Sequence, residues 1–532
     1  MSAHGINLDL SPRPGVSFAD TTRPMTFSAI DVVIVVAFYA AVLTLSLVKS
    51  RRHADAAGYF LGGRSLPWWL IGISIVAANI STEQFVGMAG QAAGDVGLAV
   101  SAWQLTGVVG IVIVAFTFMP RFLRAGIYTM PEYLEYRYSP AARALMSVLT
   151  VLVYVLVTTA AVLYSGATAL ATVFGVRMDI AVLVIAGLAA LYTTWGGLLA
   201  AVWADLIQGT ALLLGGLLTL ALGLQAVGGI GPFLSANADR LHMVLPRSHP
   251  ELPWTVLTGG IWIPIFYYCG LNQFIVQRAL GARSLRQAQM GIVFAAALWL
   301  LVPFAIVMPG IVASQLFGAE LPRPDAAYPT LVRELVPTGA RGFLCAALAG
   351  AVISTLASVL NSASTILTMD VFRRHVRPDA TQDSLVRVGR WSTVVFLAFG
   401  CVVALSPLPS GGVFAFIQEF QGYISPGILA AFLVGFVVPK APPAAGVAAV
   451  ALSAPVYGLL QWQMGDVAYL HRMLLTFVVL VAVMLAITRA RPLAEARRLP
   501  VRADIDTTPS RPALAMGVAV IAAVIVFFVM FW

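Results

Sequence analysis

The chain has 532 residues, 60% of them hydrophobic and 10% charged, against roughly 25% charged in an ordinary soluble domain. A mean hydropathy of +0.90 excludes a water-soluble enzyme. It equally excludes a globular body on one anchor, because apolar runs of spanning length recur from Phe27 to Trp532. The formal charge of +9 does not point to nucleic acid, since basic residues at membrane–water loops set orientation.

The first residues, 1–26, are polar and contain prolines, and read as an extracytoplasmic tail. Residues 27–48 follow as a retained peripheral helix 1, too long for the apolar core of a signal peptide. At about 20 residues per span, helices 2 to 6 are predicted near 66–93, 97–121, 142–172, 178–197 and 202–227. Helices 7 to 11 fall near 256–280, 287–318, 342–372, 386–406 and 412–438, and peripheral helices 12 to 14 near 443–462, 469–488 and 512–532. The expected fold is all-α, a polytopic membrane protein with 14 transmembrane helices. The lipid bilayer is its solvent, and no obligatory protein partner is expected.

Assigning Lys and Arg to alternate sides tests this count. Of the 32 basic residues, 23 fall after odd-numbered helices, among them Lys49, Arg51 and Arg52, Arg278, Arg283 and Arg286, and Arg489 to Arg511. That side is cytoplasmic by the positive-inside rule, which places both termini outside the cell (inner) membrane. The longest polar connections, 228–255, 319–341, 373–385 and 489–511, are too short for an independent domain of about 50 residues, which leaves little room for a transporter-like sensor. No G-x-x-x-x-G-K-[ST] occurs, so a gradient must supply the energy. Glu83, Asp370 and Glu419 lie on different helices and no hydrolase motif is present, so no enzyme activity is expected. Cys269, Cys345 and Cys401 lack ligand spacing, so neither a cofactor nor a transition metal is expected.

Polar interruptions inside the spans are the informative feature, because lipid tolerates polar groups only where they are paired or line a cavity. Helix 2 carries Asn79-Ile80-Ser81-Thr82-Glu83-Gln84, and helix 7 carries Pro264 and then Tyr267-Tyr268-Cys269-Gly270-Leu271-Asn272-Gln273. Each run is either a patch satisfied by neighbouring helices or a broken helix with free carbonyls. Each also falls in the first helix of a five-helix block, 66–227 and 256–438. Breaks at matching positions of two halves point to an inverted-repeat secondary transporter with a five-plus-five core. On helix 9, the adjacent hydroxyls of Ser354 and Thr355, about 100° apart, can face one hard cation, or can simply back-bond within the helix.

The runs Gly62 to Trp69, Ala77 to Phe85, Gly126 to Tyr133, Asn272 to Arg278 and Leu356 to Asp370 closely resemble the sodium/solute symporter family, in particular its bacterial sodium/galactose-type carriers. The resemblance covers the chain from about Phe27 to Trp532. It implies sodium as the coupling ion, held by the carbonyls of Ala77, Ile80 and Ala351 and the hydroxyls of Ser354 and Thr355. It makes Tyr268, paired with Asn79, the inner gate and places Asp205 on the sodium exit path. Gln84 and Gln418 match sugar-binding glutamines, while Trp103, Gln104, Gly107, Ile265 and Trp299 depart from the family's Tyr, Glu, Ser, Asn and Lys. The implied substrate is a small neutral solute, a sugar or polyol first, with a carboxylate or nucleoside as the alternative.

Overall fold

The protein is described by a computed structural model covering residues 28–50, 61–321, 323–406, 412–497, 499–502 and 505–532. The tail expected at 1–26, with Arg51, Arg52 and Arg498, lies outside the described residues. Those described form helices and no strand, as expected for an all-α chain. Helix starts at the aqueous boundaries are locally encoded. Ser139, Ser284 and Ser510 each accept a backbone N–H from the following turn with the side-chain oxygen, relieving a donor that helix geometry leaves free.

Among the described residues, ten helices are long and apolar enough to cross a membrane, and two bent pairs raise this to twelve. The shorter apolar helices Met178–Ala190 and Trp262–Leu271 stand where helix 5 and the outer half of helix 7 are expected. Helices 3 (Gly97–Thr117) and 9 (Ala340–Val376) are 89% buried over their spanning windows and form the centre. Helices 1 (Ala29–Ser46), 10 (Gln382–Ala404), 13 (Tyr469–Ala490) and 14 (Arg511–Met530) are 22–28% buried and form the rim.

Both anticipated breaks are present. Helix 2 runs over Trp68–Asn79, leaves helical geometry at Ile80 (φ −83°, ψ 92°) and resumes over Glu83–Ala93, bent by 53°. Helix 7 comprises Trp262–Leu271 and Gln273–Leu280, with Asn272 extended between them (φ −76°, ψ 119°). The Asn272 break is held from outside. The Tyr154 hydroxyl donates to Asn272 Oδ1 and accepts the Gln273 N–H at 2.9 Å.

Four expectations are corrected. Helix 11, read as one span at 412–438, is broken into Gly412–Gln421 and Ser425–Val437 with a 45° bend. A Cβ on Gly422 would lie 2.4 Å from the Tyr457 ring, and Ser425-Pro426 restarts the helix. Helices 5 and 6, read as separate, form one helical run over Met178–Ala226. Even so, Ile185 and Gln208, roughly 35 Å apart on a straight helix, meet Gly166 beside Val352 and Gly350 respectively, so the two arms lie side by side against helix 9. The connections read as polar contain helices Ile230–Ala236 and Ala327–Leu335, the latter burying Tyr328 and Leu331. Arg278, counted among the loop cations, is 1% exposed inside the fold.

Candidate substrate and cation site

The halves of helices 2 and 7 on the far side of their breaks from the predicted cytoplasm meet helices 3, 8 and 11 around a cavity with about 590 Å³ of free space, part of it open to solvent. Its wall gathers every residue expected to touch solute, Gln84, Trp103, Gln104, Ile265, Trp299 and Gln418, together with Asn79 and Tyr268. Two of the changed side chains are accommodated by glycines of helix 3. A Cβ on Gly110 would lie 2.4 Å from Ile265 Cγ2, and one on Gly107 would touch the Trp299 ring at 3.5 Å. Trp103 stacks on Tyr469 at 6.4 Å and meets Phe414 edge-on at 5.7 Å, which fixes one aromatic wall.

Several polar atoms of this wall are buried without a partner. Gln84 donates to Asn79 Oδ1 at 3.2 Å, but its own Oε1 is free, as are Gln421 Oε1 and the Trp299 indole N–H. Burying such groups unpaired costs about 1–3 kcal/mol each, a cost that a polar ligand removes. Asn79 also lies within hydrogen-bonding reach of the Tyr268 phenol at the cavity floor.

Below this floor, the helix ends at Asn79, with the Val76 oxygen accepting the Ile80 N–H at 2.7 Å. The carbonyls of Ala77 and Ile80 lie at this helix end, where intrahelical donors run out. Helix 9 lies alongside. Its Ser354 hydroxyl donates to Asp205 Oδ1, and Ser74 of helix 2 donates to Asp205 Oδ2. Thr355, one residue on, is buried with an unpartnered hydroxyl. Ala351 is buried one turn earlier on the same helix. Asp205 does not stand alone: Arg278 Nη2 reaches it at 3.0 Å and Ser358 at 2.7 Å, while Arg278 Nε donates to Ser74 at 2.6 Å. One ion pair thus joins helices 2, 6, 7 and 9. Ala77 also packs on Gly209 of helix 6, where an added Cβ would sit 2.6 Å from the Ala77 methyl. Gly209→Ala should push helix 2 outward and cost about 1–3 kcal/mol, read as a lower unfolding midpoint with a weaker response to sodium.

The description "Sodium:solute symporter family" belongs to a family model that matches residues 59–450. The chain belongs to this family. It is 37% identical over 480 residues to the sodium/glucose cotransporter of Vibrio parahaemolyticus, covering 84% of this chain and 88% of that one. Over 454 residues it is 32% identical to sodium/myo-inositol cotransporter 2 of Bos taurus, covering 77% and 66%. Its fold matches a Na+-coupled sialic acid symporter in a substrate-bound outward-open state, with a TM-score of 0.79 at 22% identity over 89% of this chain and all of that one. Like its relatives, this symporter is a sodium-coupled membrane transporter and not an enzyme.

Sequence reasoning missed Gln421, Phe414, Ile417 and Glu83 as cavity residues of this symporter. On helix 11 the signal was present for two of them. Phe414, Ile417 and Gln421 stand four residues before, one before and three after Gln418, and the two at helical spacing share its face. Glu83 was visible in the polar run of helix 2, but only the bend turns it toward the solute.

Proposed function

We propose that this symporter imports a sugar or polyol, with sodium held where the break in helix 2 faces helix 9. The observation that carries the reading is the coincidence of three features: the carbonyls of Ala77 and Ile80 at a helix end, an unpartnered Thr355 hydroxyl, and a polar-lined cavity that Asn79 and Tyr268 border. The ligands are the carbonyls of Ala77, Ile80 and Ala351 and the hydroxyls of Ser354 and Thr355, neutral oxygens of the kind a hard cation accepts. Further parts of the reading are 14 crossings in two five-helix repeats, 66–227 and 256–438, both termini outside, and residence in the cell membrane.

In the cycle, sodium ties helix 9 to the break in helix 2 and holds the cavity open outward. Solute then closes the outer side. Loss of sodium past Asp205 frees the two helices, and solute leaves inward as Tyr268 gives way. A ligand shifts such an equilibrium only by its differential affinity for the two states, so the five oxygens must separate on the inward swing. The unpaired acceptors Gln84 and Gln421 and the indole donor of Trp299 suit a hydroxyl-rich ring, and the flat Trp103 face suits stacking.

Uptake by vesicles from a panel of labelled sugars, polyols, nucleosides and carboxylates tests this reading. Accumulation of a sugar or polyol that vanishes when choline replaces sodium is expected; accumulation only of a nucleoside would reject the sugar assignment. Trp299→Phe keeps an aromatic face, if a smaller one, and removes the donor. It should lower apparent solute affinity roughly tenfold and leave the sodium response intact, as measured by tryptophan-quenching titrations with and without sodium.

A further inference from the structure

Glu83 lines the cavity beside Gln84, and no lysine, arginine or histidine lines it with them. The Ser81 hydroxyl donates to one of its carboxylate oxygens, which holds the side chain at the helix 2 break. The buried cation of helix 7, Arg278, is paired with Asp205, 0% exposed, so that pair contributes little net field. The wall's fully buried unpartnered atoms are two acceptors, Gln84 Oε1 and Gln421 Oε1, and one donor, the Trp299 N–H, while the amides of Gln104, Gln418 and Gln421 add further donors to the wall.

We infer that Glu83 is a charge filter: the cavity admits hydroxylated rings that are uncharged or carry an ammonium group, and rejects the same rings bearing a carboxylate. This rests on the sugar or polyol reading above and narrows it, because the wall carries the Glu83 carboxylate and no basic side chain. Hydroxyl and ammonium groups donate to Gln84, Gln421 and Glu83. A carboxylate donates nothing, is left with the amide and indole N–H groups of the wall, and faces a like charge whenever Glu83 is ionised, across a site of low dielectric where repulsion over a few ångströms is large. Gln421 is then a specificity residue, its amide oxygen taking a hydroxyl that Gln418, three residues earlier, leaves free. Sodium bound beyond Ile80 offsets part of the Glu83 charge, so discrimination is graded and not absolute.

The test uses three probes with one ring: glucose, glucosamine and glucuronate. Each is titrated against the full-length protein in sodium and in choline by tryptophan quenching, for wild type and Glu83→Gln. Wild type is expected to bind glucose and glucosamine in sodium at least tenfold more tightly than glucuronate, with Glu83→Gln shrinking that gap at least threefold through a gain in glucuronate affinity. A gain of function of this kind is not produced by a merely damaged protein. Glucuronate binding as tight as glucose in wild type, or an unchanged gap in a Glu83→Gln protein that still binds glucose, would overturn the filter and leave the sugar reading standing. A Glu83→Gln protein that binds none of the three would give Glu83 a structural role and overturn the filter likewise. Sodium-dependent binding of none of the three by wild type would overturn the sugar reading and the filter together.

Discussion

Arg278→Met should destabilise the protein by about 3–5 kcal/mol, because it leaves the Asp205 carboxylate, 0% exposed, without its cation in the interior. Asp205→Leu should do comparable damage by stranding Arg278, which also holds Ser74, Ser358 and the Phe274 carbonyl. The double variant carrying both changes should recover much of the loss, since an apolar pair of similar volume often replaces a buried ion pair without penalty. Thermal unfolding in detergent gives the three midpoints. A double variant no better than the worse single one would mean that the two residues act separately, and the joining of helices 2, 6, 7 and 9 would lie elsewhere.

Removing two of the proposed sodium ligands, in Ser354→Ala with Thr355→Ala, should reduce sodium-driven uptake about hundredfold at a fixed sodium concentration, at ~1–3 kcal/mol per lost polar partner. The two hydroxyls differ in a way that a single measurement exploits. Ser354 already donates to Asp205, so its loss disturbs the ion-pair network as well as the cation. Thr355 makes no hydrogen bond among the described residues, so Thr355→Ala should leave folding almost unchanged while weakening sodium. Initial rates in vesicles across a sodium series separate a shift in half-saturating sodium from a loss of capacity. Uptake in the double variant equal to wild type would remove helix 9 from the cation site.

Much of this arrangement was legible in the sequence, because the bilayer makes polar interruptions expensive and therefore meaningful. The polar runs Asn79 to Gln84 and Tyr267 to Gln273 contain both breaks, at Ile80 and Asn272. The positions matched to the family by motif, from Gln84 to Gln418, all converge on one cavity. The helix 11 bend stayed hidden because its cause is tertiary: Gly422 closes on the Tyr457 ring, 35 positions away in sequence. Arg278 was misplaced for the same kind of reason. A lone arginine at a helix end reads as a loop cation, and only Asp205, from another helix, makes its burial affordable. The accommodation of Trp299 and Ile265 by Gly107 and Gly110 likewise requires helices 3, 7 and 8 in place together. The helices within the connections were missed because their apolar residues serve one small face, as Tyr328 and Leu331 do on Ala327–Leu335.

The most direct measurement is a sodium titration of thermal unfolding, with choline keeping ionic strength constant, for wild type and Thr355→Val. The substitution keeps the shape and removes the unpartnered hydroxyl. A cation that binds only the folded protein stabilises it by RT ln(1 + [Na+]/Kd), about 2.7 kcal/mol at a hundredfold excess over Kd. The wild-type midpoint is expected to climb with sodium and stay level with choline, while Thr355→Val starts from the same midpoint and climbs much less. A Thr355→Val protein that gains as much from sodium as wild type does would contradict a sodium site between the helix 2 break and helix 9.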